Sequence, residues 1–249
     1  MKGPPVIAVC GKGGVGKTVL SALLSRVLIE SGVRPLLLID ADPAGGLVSA
    51  IGENSAGTLA GVRERLISSA RTADDAEKMR LAEQVDYLVF EALLERKDYS
   101  LLAMGHSSEK GCYCPVNTLL REAIDLIASH FRAVLIDAEA GLEQINRQVT
   151  RSITRVVAVT DGSHRSAETM RMIAEMIGHD RVSAVANRVI AGDADDLPAG
   201  IAFLGGIPED RALRQFDQEG RTLWDLPPDT PAVSAVRGIA KALGFSRTA

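Results

Sequence analysis

Eight residues, Gly11-Lys12-Gly13-Gly14-Val15-Gly16-Lys17-Thr18, stand between a β-branched apolar run at 5–10 and a stretch with helical periodicity. No other feature restricts the fold so strongly. Four glycines let the backbone curl with its N–H groups turned inward, around an anion. Leu20, Leu23, Leu24, Val27 and Leu28 then recur at helical spacing, and Ser31-Gly32 closes the helix. A buried strand feeding a helix through such a loop is the first unit of an α/β sheet. The pattern is G-x-x-x-x-G-K-[ST]. In it Lys17 is expected to reach the β- and γ-phosphates of a nucleotide and Thr18 to hold Mg²⁺. The helix N-terminus adds partial positive charge at the same point.

The rest of the 249 residues repeats this alternation. Short apolar runs at 36–39, 87–90, 133–136, 156–160, 182–186 and 201–204 read as buried strands, and 116–129, 166–177 and 231–243 as helices. The expected class is therefore α/β, a mostly parallel sheet with helices on both faces and ligands at the carboxyl ends of the strands. Two polar stretches, 54–83 and 95–115, read as insertions on a single domain spanning 1–249.

Composition narrows the partners. No apolar run approaches the ~18–20 residues of a membrane span. Lys+Arg 28 against Asp+Glu 32 leaves a net charge of −4, and 4% of residues are aromatic. Neither a phosphate-backbone footprint nor a stacking platform is expected, so no nucleic acid and no membrane. Three cysteines, an odd count, make no disulfide framework, which points to a reducing, cytoplasmic setting.

Two apolar strands run into acids. Residues 36–39 lead to Asp40-Ala41-Asp42-Pro43, and 133–136 lead to Asp137. Phosphoryl transfer to water needs a carboxylate that positions the water and others in the Mg²⁺ shell. Cys112-Tyr113-Cys114 precedes a helix. Two thiolates at this spacing supply half of a tetrahedral S₄ site, and a two-fold dimer supplies the other half.

Lys12 and Lys17 together form Lys-Gly-Gly-x-Gly-Lys-Thr, which resembles the deviant Walker A loop of the family that includes MinD, ParA, the nitrogenase iron protein and metal-centre maturation ATPases. The resemblance implies that Gly11, Gly13, Gly14, Val15, Gly16, Lys17, Thr18 and Val19 hold ATP or ADP. It implies that Lys12 reaches the partner's phosphates across an ATP-dependent homodimer, that Asp42 orients the attacking water, and that Asp40 and Asp137 serve the Mg²⁺ shell. Gly141 matches the second switch glycine. Asn187-Arg188 matches the position where the family's Asn reads adenine, and Pro208 lies in the matching base-covering loop. With Cys112 and Cys114, and the segment 220–231 around Trp224, the chain resembles the CooC-type branch. That implies Ni²⁺ or Zn²⁺ held between two Cys-x-Cys loops and a client apoprotein such as carbon monoxide dehydrogenase. A MinD/ParA-type positioning ATPase, an iron–sulfur electron carrier and a P-loop kinase are the alternatives.

Overall fold

The structure is a computed structural model that describes residues 3–54, 57–106, 114–138, 152–189 and 197–245, with the backbone alone at 72, 114, 115 and 189. In chain order the elements are β1 Val6–Gly11, α1 Lys17–Glu30, β2 Leu36–Asp40, α2 Gly46–Ala50, α3 Leu59–Thr72, α4 Asp75–Glu83, α5 Val85–Glu91, β3 Leu94–Glu95, β4 Tyr99–Ala103, α6 Cys114–Ala128, β5 Ala133–Asp137, β6 Arg155–Thr160, α7 His164–Ile177, β7 Val182–Val189, β8 Ala202–Pro208, α8 Arg211–Gln218 and α9 Pro231–Ala242. The sheet order is β3-β4-β2-β5-β1-β6-β7-β8. Every pair is parallel except β3 with β4.

Both faces of the sheet are covered, which is why its strands read as continuous apolar runs. Val6, Ala8 and Cys10 of β1 join Leu37, Ile39, Val134 and Ile136 in one core, under α3, α5, α6 and α7. Ile7 and Val9 join Leu36, Leu38 and Leu135 in the other, with α1 and α9. The period-2 alternation of the strand thus divides one sequence between two cores. A strap after α8 locks onto the second: the Trp224 indole N–H donates to Ala22 O at 2.8 Å, and its ring meets Tyr99 edge-on at 4.9 Å.

The expected α/β class holds, with one strand misplaced. Residues 87–90 are helical, inside α5. Val85, Leu88 and Val89 are buried at helical spacing while Tyr87 and Phe90 face out. Four apolar residues fit either period, and here the flanking contacts of α5 with α6 decide. The strand beside β2 is β4, inside the stretch expected to be an irregular insertion. All five of its residues are buried, and Leu38 pairs with Leu101. The stretch 54–83, also read as an insertion, carries α3, capped by Thr58, and α4, opened by an Asp74–Glu77 capping box, and Leu59, Val62 and Leu66 of α3 lie in the core.

Candidate nucleotide site

The parallel strands end at one rim, and the candidate residues gather there. β1 lies between β5 and β6, so the loop at its carboxyl end sits where the chain's connections diverge to the two halves of the sheet. Asp137 is in register with Asp40 on one side and Val9 on the other. Asp161 directly follows β6, and Asn187 lies near the end of β7.

The loop is built by its glycines. Gly16 has φ +94 and serves as the N-cap of α1 without a side-chain cap, so the first-turn N–H groups are left for a ligand. An alanine Cβ at Gly16 would lie 2.1 Å from Asn187 Nδ2, and one at Gly11 2.5 Å from Val159 O. Gly13 and Gly14 meet nothing within 4 Å, leaving the tip of the loop open.

The two lysines take different positions. Lys17 is 8% exposed and its Nζ donates to Lys12 O at 3.1 Å, inside the curl. Lys12 points outward and pairs with Asp161 at 3.6 Å, each side chain 34% exposed. Asp161 is fixed in turn: Ser163 Oγ and Ser166 Oγ each donate to its Oδ1 at 2.6 Å. Those bonds hold its carboxyl well below the usual carboxylate range.

Asp137 is 1% exposed and receives Thr18 Oγ1 and Ser21 Oγ, both at 2.8 Å. Burial pushes its carboxyl up to about 6, against the pull of those hydroxyls and Lys17. The donor set is hydroxyl and carboxylate oxygen, which suits Mg²⁺. Asp40 is fully buried, and its oxygens accept backbone N–H bonds from Asp42 at 3.2 Å and Val48 at 3.0 Å. Burial raises its carboxyl, and the backbone bonds oppose that shift. In this state Asp40 therefore organises the turn carrying Asp42. Asp42 is half-buried and accepts the Ala44 N–H at 2.9 Å.

Asn187 does more than sit at a strand end. Its Nδ2 donates to Val15 O at 2.7 Å, spanning 172 residues. Arg188 follows with φ +59, the only non-glycine residue with positive φ among those described, at a bulge between β7 and β8. That conformation costs about 1 kcal/mol outside glycine. Pro208 ends β8, opposite the bulge. Asp210 caps α8 through Ala212 N and Leu213 N, and also accepts from Ala232 N of α9.

Sequence reasoning missed Ser21 and Asp161. Each had a signal: Ser21 is one turn beyond Thr18 on the same helix face, and Asp161 repeats the apolar-strand-then-acid pattern of Asp40 and Asp137. Gly141 and Cys112 lie outside the described residues, as does the side chain of Cys114. Among the described residues no group of three or more His, Cys, Asp or Glu is placed to hold a metal, and Cys10 is a buried free thiol.

An uncapped helix start behind a glycine loop, with an internal lysine and a threonine–aspartate oxygen pair, defines a P-loop nucleotide-hydrolysing protein. Residues 5–189 match the family model described as an AAA domain. The chain is 33% identical to an uncharacterised ATP-binding protein of Methanocaldococcus jannaschii, over 96% of this chain and 98% of that one. It is 32% identical to the carbon monoxide dehydrogenase accessory protein CooC of Rhodospirillum rubrum, over 89% and 90%. The fold matches a ParA family ATPase from Chlorobium tepidum with TM-score 0.69 at 17% identity, covering 98% and 99%. The chain belongs to the deviant Walker A P-loop ATPases of the MinD, ParA and CooC superfamily: it binds Mg-ATP and hydrolyses it.

One expectation is corrected. Composition argued against nucleic acid and membrane, yet the same architecture is found in a putative plasmid partition protein of Borrelia burgdorferi, TM-score 0.62 at 15% identity, covering 96% and 99%. The exclusion falls because a net charge of −4 is a sum over the chain, and a sum does not describe any local face. Among the described residues no helix is long and apolar enough to cross a membrane.

Proposed function

We propose that the protein is an ATP-driven dimerisation switch, in which two copies close on each other's nucleotide and part after hydrolysis. The observation that carries this reading is the division between the lysines. Lys17 is buried in its own loop, whereas Lys12 projects from it and is held by a partly exposed ion pair. Such a pair is worth at most about 1 kcal/mol, so Lys12 is cheaply released toward a second chain's phosphates. There its charge would meet charge developing on the transferred phosphoryl group. Asp42, on the turn held by Asp40, is the residue for orienting the attacking water. Thr18 and Asp137 would hold Mg²⁺, which when bound neutralises phosphate charge. Val19 continues the first turn of α1 behind Thr18.

The test is molar mass by light scattering on Asp42→Asn protein with Mg-ATP. The expected result is a dimer with Mg-ATP and a monomer with Mg-ADP, with hydrolysis lost in Lys12→Ala. A monomer at every nucleotide state refutes the switch.

A second reading is favoured by the 32% identity to CooC together with Cys112 and Cys114: the dimer binds Ni²⁺ or Zn²⁺ through paired Cys-x-Cys loops. One metal per ATP-bound dimer, lost in Cys112→Ala or Cys114→Ala, supports it. A metal-free dimer leaves the positioning type of switch as the function.

A further inference from the structure

Helix α5 is apolar on two sides. Val85, Leu88 and Val89 face the core, while Tyr87 and Phe90 stand 62% and 50% exposed. A helix that is apolar all round is ordinarily covered all round. Leu126 of α6 adds a third exposed apolar side chain, at 52%, and the three line one groove of about 600 Å³. Among the described residues seven large apolar side chains are exposed, so nearly half of them meet here. Rings are concentrated in the same way. The chain has one Trp, three Tyr and five Phe, and Tyr87, Phe90 and Phe131 all line this groove. Exposed apolar surface gathered in one place, and aromatic above all, marks a contact site.

The groove lies at the amino ends of the strands, since Pro35 precedes β2 and Phe131 precedes β5. The phosphate loop is at the opposite rim, so both places can be filled at once. The charge along the groove is one-sided. Arg96 is already neutralised: its Nε and Nη2 donate to the two carboxylate oxygens of Glu53 at 2.8 and 2.6 Å. Glu91, one turn beyond Tyr87, is paired with Arg65 at 3.5 Å. The His130 ring nitrogen sits 3.2 Å from Leu126 O. Asp86 and Glu95 have no ion-pair partner among the described residues. An apolar trough is thus flanked by two free carboxylates.

We infer that this groove docks a partner protein through a cationic amphipathic segment. Apolar side chains of the segment enter between Tyr87, Phe90 and Leu126, and its flanking Lys or Arg residues meet Asp86 and Glu95. A second copy of this chain does not suit the groove, because an isologous contact would set the same two acids against each other. The inference goes beyond the nucleotide reading and does not depend on it.

The probe is a display library of random dodecapeptides, panned on the full chain and counter-selected on the variant Tyr87→Ser/Phe90→Ser/Leu126→Ser. Enriched peptides should carry aromatic or Leu anchors with Lys or Arg on the flanks. Fluorescence anisotropy on the best of them should show binding at least tenfold weaker to the triple variant, and weakening with added salt. Asp86→Lys/Glu95→Lys should weaken it at least fivefold, and the same peptide with Glu flanks should bind that variant better than wild type. Thermal melts check the fold, and the charge-reversed pair, which removes no apolar side chain, keeps the test decisive if the triple variant melts early. Failure to enrich any peptide, or binding that both variants leave unchanged, overturns the groove as a docking site. Groove-dependent peptides without cations overturn the chemistry of the partner. Self-association of wild type that disappears in the triple variant makes a second copy the occupant and likewise overturns it.

Discussion

The glycines of the phosphate loop form a graded series whose costs can be worked from contacts alone. Gly13→Ala places a methyl in open space, at a residue without positive φ, and should cost about 0–0.5 kcal/mol. Gly14→Ala also meets no atom, but its φ of +78 adds roughly 1 kcal/mol of backbone strain. At Gly16 the strain at φ +94 is joined by a Cβ 2.1 Å from Asn187 Nδ2, which displaces the side chain and breaks its bond to Val15 O. Strain and the lost bond together come to about 2–4 kcal/mol. Gly11→Ala meets the carbonyl of Val159 at 2.5 Å, and a central strand cannot swing aside as a side chain can. Its cost should be the largest of the four, with a fraction of the protein failing to fold. For a chain of this size each kcal/mol moves Tm by about 2–4 °C. The assay is a set of thermal melts without nucleotide, which isolates folding from ligand binding. The expected order of loss is Gly13 < Gly14 < Gly16 < Gly11, with Gly16→Ala down by about 4–16 °C and Gly13→Ala by no more than about 2 °C. Equal shifts at Gly14 and Gly16 would refute the claim that Asn187 is packed on the loop, since strain alone would then account for both.

Three further outcomes follow from the rim. Asp137 is protonated more readily folded, at about 6, than at its ordinary value of 3.8, so without Mg²⁺ the folded state binds the extra proton. Its contribution therefore falls as pH rises from about 4 through 6, by about 3 kcal/mol, and denaturant titrations of Asp137→Asn in chelator should lack that loss while Mg²⁺-dependent hydrolysis drops at least a hundredfold. Asp161→Asn weakens the hold on Lys12, so Tm should stay within about 2 °C while the protein concentration needed for half-maximal ATPase falls up to fivefold; a rise in that concentration would contradict the resting role of the pair. Trp224→Phe removes the indole bond to Ala22 O but keeps an edge for Tyr99, and should cost about 1 kcal/mol in urea unfolding with kcat unchanged.

What the sequence disclosed and what it withheld differ in the range over which their causes act. The loop, its flanking strand and helix, and the acids at 40 and 137 are legible because each is set by neighbours a few residues away: glycine for φ, periodicity for the helix, an apolar run for the strand. Residues 87–90 misled for the same reason, since a four-residue apolar run has no period of its own and α6, more than twenty residues on, decides its fate. β4 was hidden because Tyr99 and Ser100 look polar until Glu53 accepts the tyrosine hydroxyl at 2.6 Å and the strand is covered.

The functional couplings are more distant still. Lys12 reads as an unusual lysine from the loop alone, but its companion Asp161 stands 149 residues away and owes its low proton affinity to two serines that no loop motif contains. Asn187 reads as a base contact, while one of its amide N–H groups reaches back to Val15 O. The links join parts of the sheet that are close in space yet remote in sequence: β1 lies beside β6, with β7 one strand further out. A parallel sheet places the carboxyl ends of such strands side by side only after the crossovers are made. The motif therefore states which chemistry the rim performs, and the strand order states which residues hold the motif in its resting shape. In this chain the second set, Asp161, Ser163, Ser166 and Asn187, lies entirely on the β6–β7 side of the loop. The buried carboxylates Asp40 and Asp137 lie on the β2–β5 side. A substitution on the β6–β7 side should therefore alter the loop's resting state, and one on the β2–β5 side should alter metal-dependent turnover.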